Sequence, residues 1–153
     1  HVPQETVQDI TIAGMGGEMI LKILQDSPWA CTEGMRLILQ PMTMVPKLRC
    51  GLAELGMYIL AERAVVAANR VYTVICAEKA HEPIAYTPLW EQMGALPVDC
   101  KESRIYAGRV AGGLKARSQG ALHEGNREEA ARLLKLASDI EHLYGVCEGG
   151  KEL

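Results

Sequence analysis

Two long strand-like runs, Met57 to Val66 and Arg70 to Glu78, are separated only by Ala67-Ala68-Asn69. Three residues are too few for a crossover, so the two runs must pair antiparallel as a hairpin. The chain before them follows a different pattern. Asp9-Ile10-Thr11-Ile12-Ala13 is rich in β-branched residues and ends at Gly14-Met15-Gly16-Gly17, a buried-strand signal followed by a sharp turn. From Glu18 the period changes: Met19, Ile20, Ile23 and Leu24 fall at helical spacing until Asp26-Ser27-Pro28 stops them. Met35 to Gln40 is a second apolar run, stopped by Pro41, and a helix fits Val45 to Leu55, with Pro46 in its first turn and Gly56 as its stop. This order describes an α/β fold: one half of a doubly wound, Rossmann-like sheet finished by an antiparallel hairpin.

Residues 80–98 contain Pro83, Pro88 and Pro97 and read as a linker with one short helical turn. Two amphipathic segments follow, about Cys100 to Leu122 and Arg127 to Tyr144, turning at His123-Glu124-Gly125-Asn126. They predict an antiparallel α-helical hairpin. The expected organisation is therefore 1–79 sheet, 80–98 linker, 99–146 helical hairpin and 147–153 tail. Gly108, Gly112 and Gly113 weaken the first hairpin helix by about 1 kcal/mol each relative to alanine, so packing must hold it.

Composition narrows the function classes. The 153 residues carry 16 Lys+Arg against 19 Asp+Glu, a net charge of −3, which excludes a uniformly basic nucleic-acid coat. No apolar run approaches the ~20 residues that cross a bilayer, and no signal segment opens the chain, so a soluble cytoplasmic protein with no membrane partner is expected. Cys31, Cys50, Cys76, Cys100 and Cys147 are scattered, without a CxxC pair, and the four histidines are equally dispersed. Neither a disulfide framework nor a metal site is predicted. The first residue is His1 rather than Met, which reads as a trimmed chain.

Three places could carry chemistry. The turn Ala13-Gly14-Met15-Gly16-Gly17 stands at the carboxyl end of a strand, where open α/β sheets bind ligands, although it serves equally as a plain strand-to-helix connection. It is not a dinucleotide fingerprint, because Met19 takes the third glycine position. Gln40-Pro41 closes the neighbouring strand, and the Gln40 amide could read a base edge or satisfy its own loop. Between Cys100 and Leu122 stand five cations and one acid, with Lys101, Arg104 and Lys115 on one side, a row suited to phosphates or simply to solvent.

The run Asp9 to Gly17, then Leu37-Ile38-Leu39-Gln40-Pro41, Leu48-Arg49, Gly56, Glu62 and Arg70-Val71-Tyr72 resembles the bacterial tRNA (adenine(22)-N(1))-methyltransferases. These are class I, S-adenosylmethionine-dependent enzymes with a C-terminal helical hairpin. The resemblance runs from Asp9 through the hairpin. It implies methylation of adenine N1 in tRNA, with Gly14, Met15, Gly16, Gln40 and Pro41 around the reacting atoms. It places Ala13, Gly14, Met15 and Gly17 beside the donor, and Lys101, Arg104 and Lys115 toward RNA, while Arg49 and Tyr72 match positions of mainly structural or RNA-facing role. Asp9 begins its strand, away from the chemistry. Departures are Ala67-Ala68-Asn69 where the family has an acid and glycine, Arg70 for its lysine and Thr73 for its glutamate. The larger departure is that the strands bearing the main donor-binding loop are absent, so the chain resembles the second half of the enzyme. The missing half, or a second copy, is expected to cover the exposed sheet edge. The competing readings are a non-enzymatic RNA- or protein-binding module that uses the hairpin, and an unrelated α/β phosphate-binding domain.

Overall fold

The computed structural model describes residues 7–82 and 84–146, so Pro83, Cys147 and the expected tail lie outside the described residues. The β-branched run forms β1 (Asp9–Gly16), and α1 (Gly17–Asp26) follows it without a loop. A 3-10 turn at Pro28–Cys31 leads to β2 (Arg36–Thr43), then α2 (Val45–Glu54), β3 (Met57–Ala67) and β4 (Arg70–Lys79). Gly56 ends the α2 connection at φ +69, a conformation that a side chain would oppose. The hairpin is tighter than the sequence suggests. Ala67 pairs with Arg70, leaving a two-residue turn of Ala68 and Asn69 at φ 47 and 61. Two positive φ angles match the strand twist, here with an alanine where glycine is usual.

The sheet order is β1-β2-β4-β3. β1 and β2 run parallel, and β4 runs antiparallel to both of its neighbours, so the reversed strand is inserted between β2 and β3. This is the expected α/β, Rossmann-like methyltransferase arrangement. One sheet face packs on α1 and α2: Ile20, Leu21, Leu24, Leu48 and Leu52 meet Leu37, Leu39, Met57, Ile59, Ile75 and Ala77. Glycine makes the helix contact possible, since a Cβ on Gly51 would lie 2.4 Å from the Leu21 side chain. On the other face an ion ladder crosses the sheet. Arg36 Nε donates to Glu78 Oε1 at 2.9 Å, and Arg36 Nη1 stands 3.8 Å from Asp9 Oδ1. The Glu78 hydrogen bond, then its charge and that of Asp9, hold the Arg36 guanidinium above its ordinary pKa.

The expected linker contains α3 (Pro88–Met93), and the first compact unit runs to Leu96. Thr87 caps α3 by accepting from the Trp90 backbone N–H at 3.2 Å.

The second unit begins at Pro97. It comprises α4 (Lys101–His123) and α5 (Arg127–Tyr144), an antiparallel pair closed by Asn126, whose side chain accepts from the Glu129 N–H at 3.1 Å. Tyr106, Ala107, Ala111 and Leu114 of α4, and Ala130, Leu133, Ala137 and Ile140 of α5, are buried. Ser118 Oγ donates to the Ala130 carbonyl at 2.7 Å, satisfying a polar group inside the helical unit.

Candidate active site

Parallel pairing sends the ends of β1 and β2 to the same side of the sheet and brings the glycine turn to Gln40-Pro41. The register is Ala13 to Gln40, Met15 to Pro41 and Gly16 to Thr43. β1 therefore carries one extra residue at Gly14, and β2 carries one at Met42. Each insertion is a β-bulge, a feature rare in parallel pairs and common next to active sites. Gly14 lies at φ +76, and a Cβ there would meet nothing within 4 Å, so the space above it is open. Its N–H donates to Gln40 Oε1 at 2.9 Å. The Gln40 Nε2 donates to the Pro41 carbonyl at 3.4 Å and, weakly, to Met42 Sδ at 3.5 Å.

At these strand ends and the helix starts that follow them stand Met15, Met19, Met42 and Met44, each between 42% and 52% exposed. Met44, at φ 55, is the N-cap of α2, and Met19 lies in the first turns of α1. Thioethers are polarisable and adaptable, suited to a flat apolar partner. Ala13 to Gly17 and Gln40 to Met42 contain no ionisable side chain. Glu18, next to the glycine turn, pairs with Lys47 at 2.6 Å and links α1 to α2. Burial pushes the Cys31 and Cys50 thiols up, so neither offers a thiolate at neutral pH. Among the described residues no group of His, Cys, Asp and Glu could hold a metal ion. A cleft of about 580 Å³ lies at the other end of the sheet, lined by Tyr58, Leu60, Glu78 and His81. It adjoins the start of β2, not the strand ends where Gly14 and Gln40 meet.

Two predicted site residues take other roles. Gly17 is buried, and a Cβ on it would lie 2.6 Å from the Met44 carbonyl oxygen. Its missing side chain thus serves the packing of α1 on the start of α2. Arg49, expected to be structural or to face RNA, is fully buried. Its Nη2 meets Glu62 Oε1 at 2.6 Å, its Nε lies 3.1 Å from Oε2, and its Nη1 donates to the carbonyls of Glu91 and Gln92. Glu62 Oε2 also accepts from the Ala95 N–H at 3.2 Å. Gly94 sits against this pair at φ +59, where any Cβ would collide with the Glu62 carboxylate and the Arg49 guanidinium. Arg49 therefore fastens α3 to α2 and β3, and it cannot touch RNA.

Sequence reasoning missed this latch. Strict alternation from Ile59 points Glu62 to solvent, but a bulge between Ile59 and Ala61 reverses the faces and turns Glu62 inward. A lone arginine on the apolar side of α2 was the available signal.

Of the proposed RNA contacts, Lys101 and Arg104 are exposed. Arg104 Nε donates to the Tyr144 carbonyl at 3.2 Å, and Lys115 pairs with Glu141 at 2.8 Å. Arg109 and Arg117 of α4 are also exposed.

Residues 1–75 match the family model of the methyltransferase domain. That stretch is thus similar to a methyltransferase domain. Among solved structures it is similar to Streptococcus pneumoniae Sp1610, assigned as a tRNA (m1A22) methyltransferase, at 26% identity and a TM-score of 0.74, covering 94% of this chain and 64% of that one. The Bacillus subtilis m1A22 tRNA methyltransferase TrmK aligns with a TM-score of 0.74 at 20% identity, over 91% of this chain and 65% of its own. Mycoplasma capricolum TrmK, in complex with S-adenosylhomocysteine, aligns with a TM-score of 0.66 at 18% identity, over 92% and 64%. The chain thus spans less than two thirds of the length of these proteins. No curated protein sequence matches it significantly.

Proposed function

We propose that this chain forms the acceptor side of an S-adenosylmethionine-dependent methyltransferase acting on adenine N1 of tRNA. The observation that carries this reading is the uncharged opening over Gly14, bordered by Met15, Gly16, Gln40 and Pro41, at the ends of two parallel strands. It lies on a sheet of methyltransferase order, in a chain whose solved neighbours include tRNA (m1A22) methyltransferases.

The chemistry suits that opening. N1 of an unpaired adenine already holds a lone pair, so no general base is needed to activate it. The site must align the ring and exclude water, a proximity contribution that glycines and thioethers can make without ionisable groups. The base must be unpaired or flipped to arrive there. In this reading 1–79 carries the reaction, and 99–146 grips the RNA backbone through Lys101, Arg104 and Lys115, with 80–98 between them. A tRNA-modifying protein of this kind works in the cytoplasm.

The Streptococcus pneumoniae protein has been crystallised with S-adenosylmethionine, which supplies an electrophilic methyl group when bound. The residues here fit the acceptor side of such a reaction and not the donor side. The donor-binding loop of the resembled family, of the Asp-Ile-Gly type, has no match in the sequence, and the Glu18 carboxylate is engaged by Lys47. Ala13, Gly14 and Met15 would reach only the methyl end of the donor. The unpaired side of β1 is where donor-binding strands, or a second copy, would pair.

Two measurements test this. Titration calorimetry of residues 1–153 with S-adenosylmethionine should give no measurable binding, and tight stoichiometric binding would contradict the reading. Joined to the donor-binding half of the Streptococcus pneumoniae protein, the chain should form 1-methyladenosine in tRNA, read by nucleoside mass spectrometry. Methylation at another atom, or none, would contradict it.

A further inference from the structure

We infer that Gln40 is a positioning residue that locks two opposed bulges and so holds the base-receiving surface open; the inference rests on the reading of these strand ends as the acceptor site. A bulge leaves its extra residue without a ladder partner. Here β1 advances two residues, Ala13 to Met15, while β2 advances one; β2 then advances two, Pro41 to Thr43, while β1 advances one. The insertions cancel, so the register recovers by Gly16, but each strand has one residue out of step.

Gln40 sits between the two. Its Oε1 takes the Gly14 N–H at 2.9 Å, replacing the strand bond that the first bulge removes. Its Nε2 reaches the Pro41 carbonyl and the sulfur of Met42, the residue inserted by the second bulge. One amide thus spans both irregularities, and both of its ends are engaged inside the protein. An amide committed in this way is poorly placed to read a base edge, the role its sequence position suggested. Its consequence is geometric. The Gly14 peptide is fixed at φ +76 with open space above it, and Met15 and Met42, the residues at the two bulges, are each 42% exposed. The surface so held fits a flat, uncharged heteroaromatic ring, in keeping with an adenine that needs alignment rather than acid–base help.

The test compares the wild-type chain with Gln40→Met, which keeps the length and removes both hydrogen-bonding ends, and Gln40→Glu, which keeps the acceptor and removes the donor. Gly14 amide exchange, read by NMR, should accelerate about fivefold in Gln40→Met, the effect of one lost hydrogen bond, and stay within twofold in Gln40→Glu. Leu37 and Ile75 amides report intact folding of each variant. With both chains saturated by tRNA, as judged by filter binding, the Gly14 resonance should shift in the wild type and not in Gln40→Met. Equal Gly14 exchange in all three chains would overturn the clamp. An unchanged tRNA-induced shift in Gln40→Met would overturn the positioning role. A wild-type Gly14 that ignores bound tRNA would instead overturn the acceptor-site reading, while the exchange rates still decide the clamp.

Discussion

Gln40 and Arg49 lie nine residues apart, and both belong to the stretch that resembles a tRNA methyltransferase, yet the structure puts them to opposite uses. Around Arg49 the charge is fully buried and saturated: a carboxylate, two carbonyls and a glycine without room for a Cβ. Around Gln40 the chain is uncharged and partly open, and one amide satisfies what two bulges leave unpaired. A polar group enclosed on every side can only hold structure together. A surface that leaves glycine peptide and thioethers facing solvent retains something with which to meet a ligand.

The contrast breaks first, if it is wrong, at the latch. Glu62→Ala leaves the Arg49 guanidinium buried and unpaired, so urea unfolding should register a loss of about 3–5 kcal/mol. A loss below about 1 kcal/mol would mean that the pair is dispensable. Gly94→Ala should cost about 2 kcal/mol or more by the same measurement, from its φ of +59 and its collision with the ion pair. In the hairpin, replacing Lys101, Arg104 and Lys115 by Gln should lower the slope of log Kd for tRNA against log salt by about 2. A flat response would remove phosphate contact from this helix. The smallest stability change belongs to the open end: Met15→Ala should shift unfolding by less than about 0.5 kcal/mol, because the side chain is largely exposed. A large loss there would make Met15 a packing residue and blur the distinction between the two regions.

Element order, the antiparallel hairpin and the meeting of the glycine turn with Gln40-Pro41 were legible in sequence, because hydrophobic period, glycine and proline punctuation and a three-residue gap leave few alternatives. The bulges were not legible. Each shifts the two-residue alternation by one position without altering composition, so Glu62 turns inward to meet Arg49 where strict alternation would face it to solvent. Gly17 illustrates a second blind spot. A glycine required by a neighbouring carbonyl reads the same as one required by a ligand. The docking of α3 on Arg49 was hidden for the same reason, since carbonyl acceptors leave no trace in a sequence.

The seven methionines offer the most direct test of the central claim, that the carboxyl ends of β1 and β2 form the acceptor face. Met15, Met19, Met42 and Met44 are exposed there, while Met35, Met57 and Met93 are buried in the same chain. With carbon-13 in the methionine methyl groups, saturating tRNA should shift the signals of Met15 and Met42 most and leave Met57 and Met93 in place. Unchanged Met15 and Met42 signals in tRNA-bound protein would contradict the account.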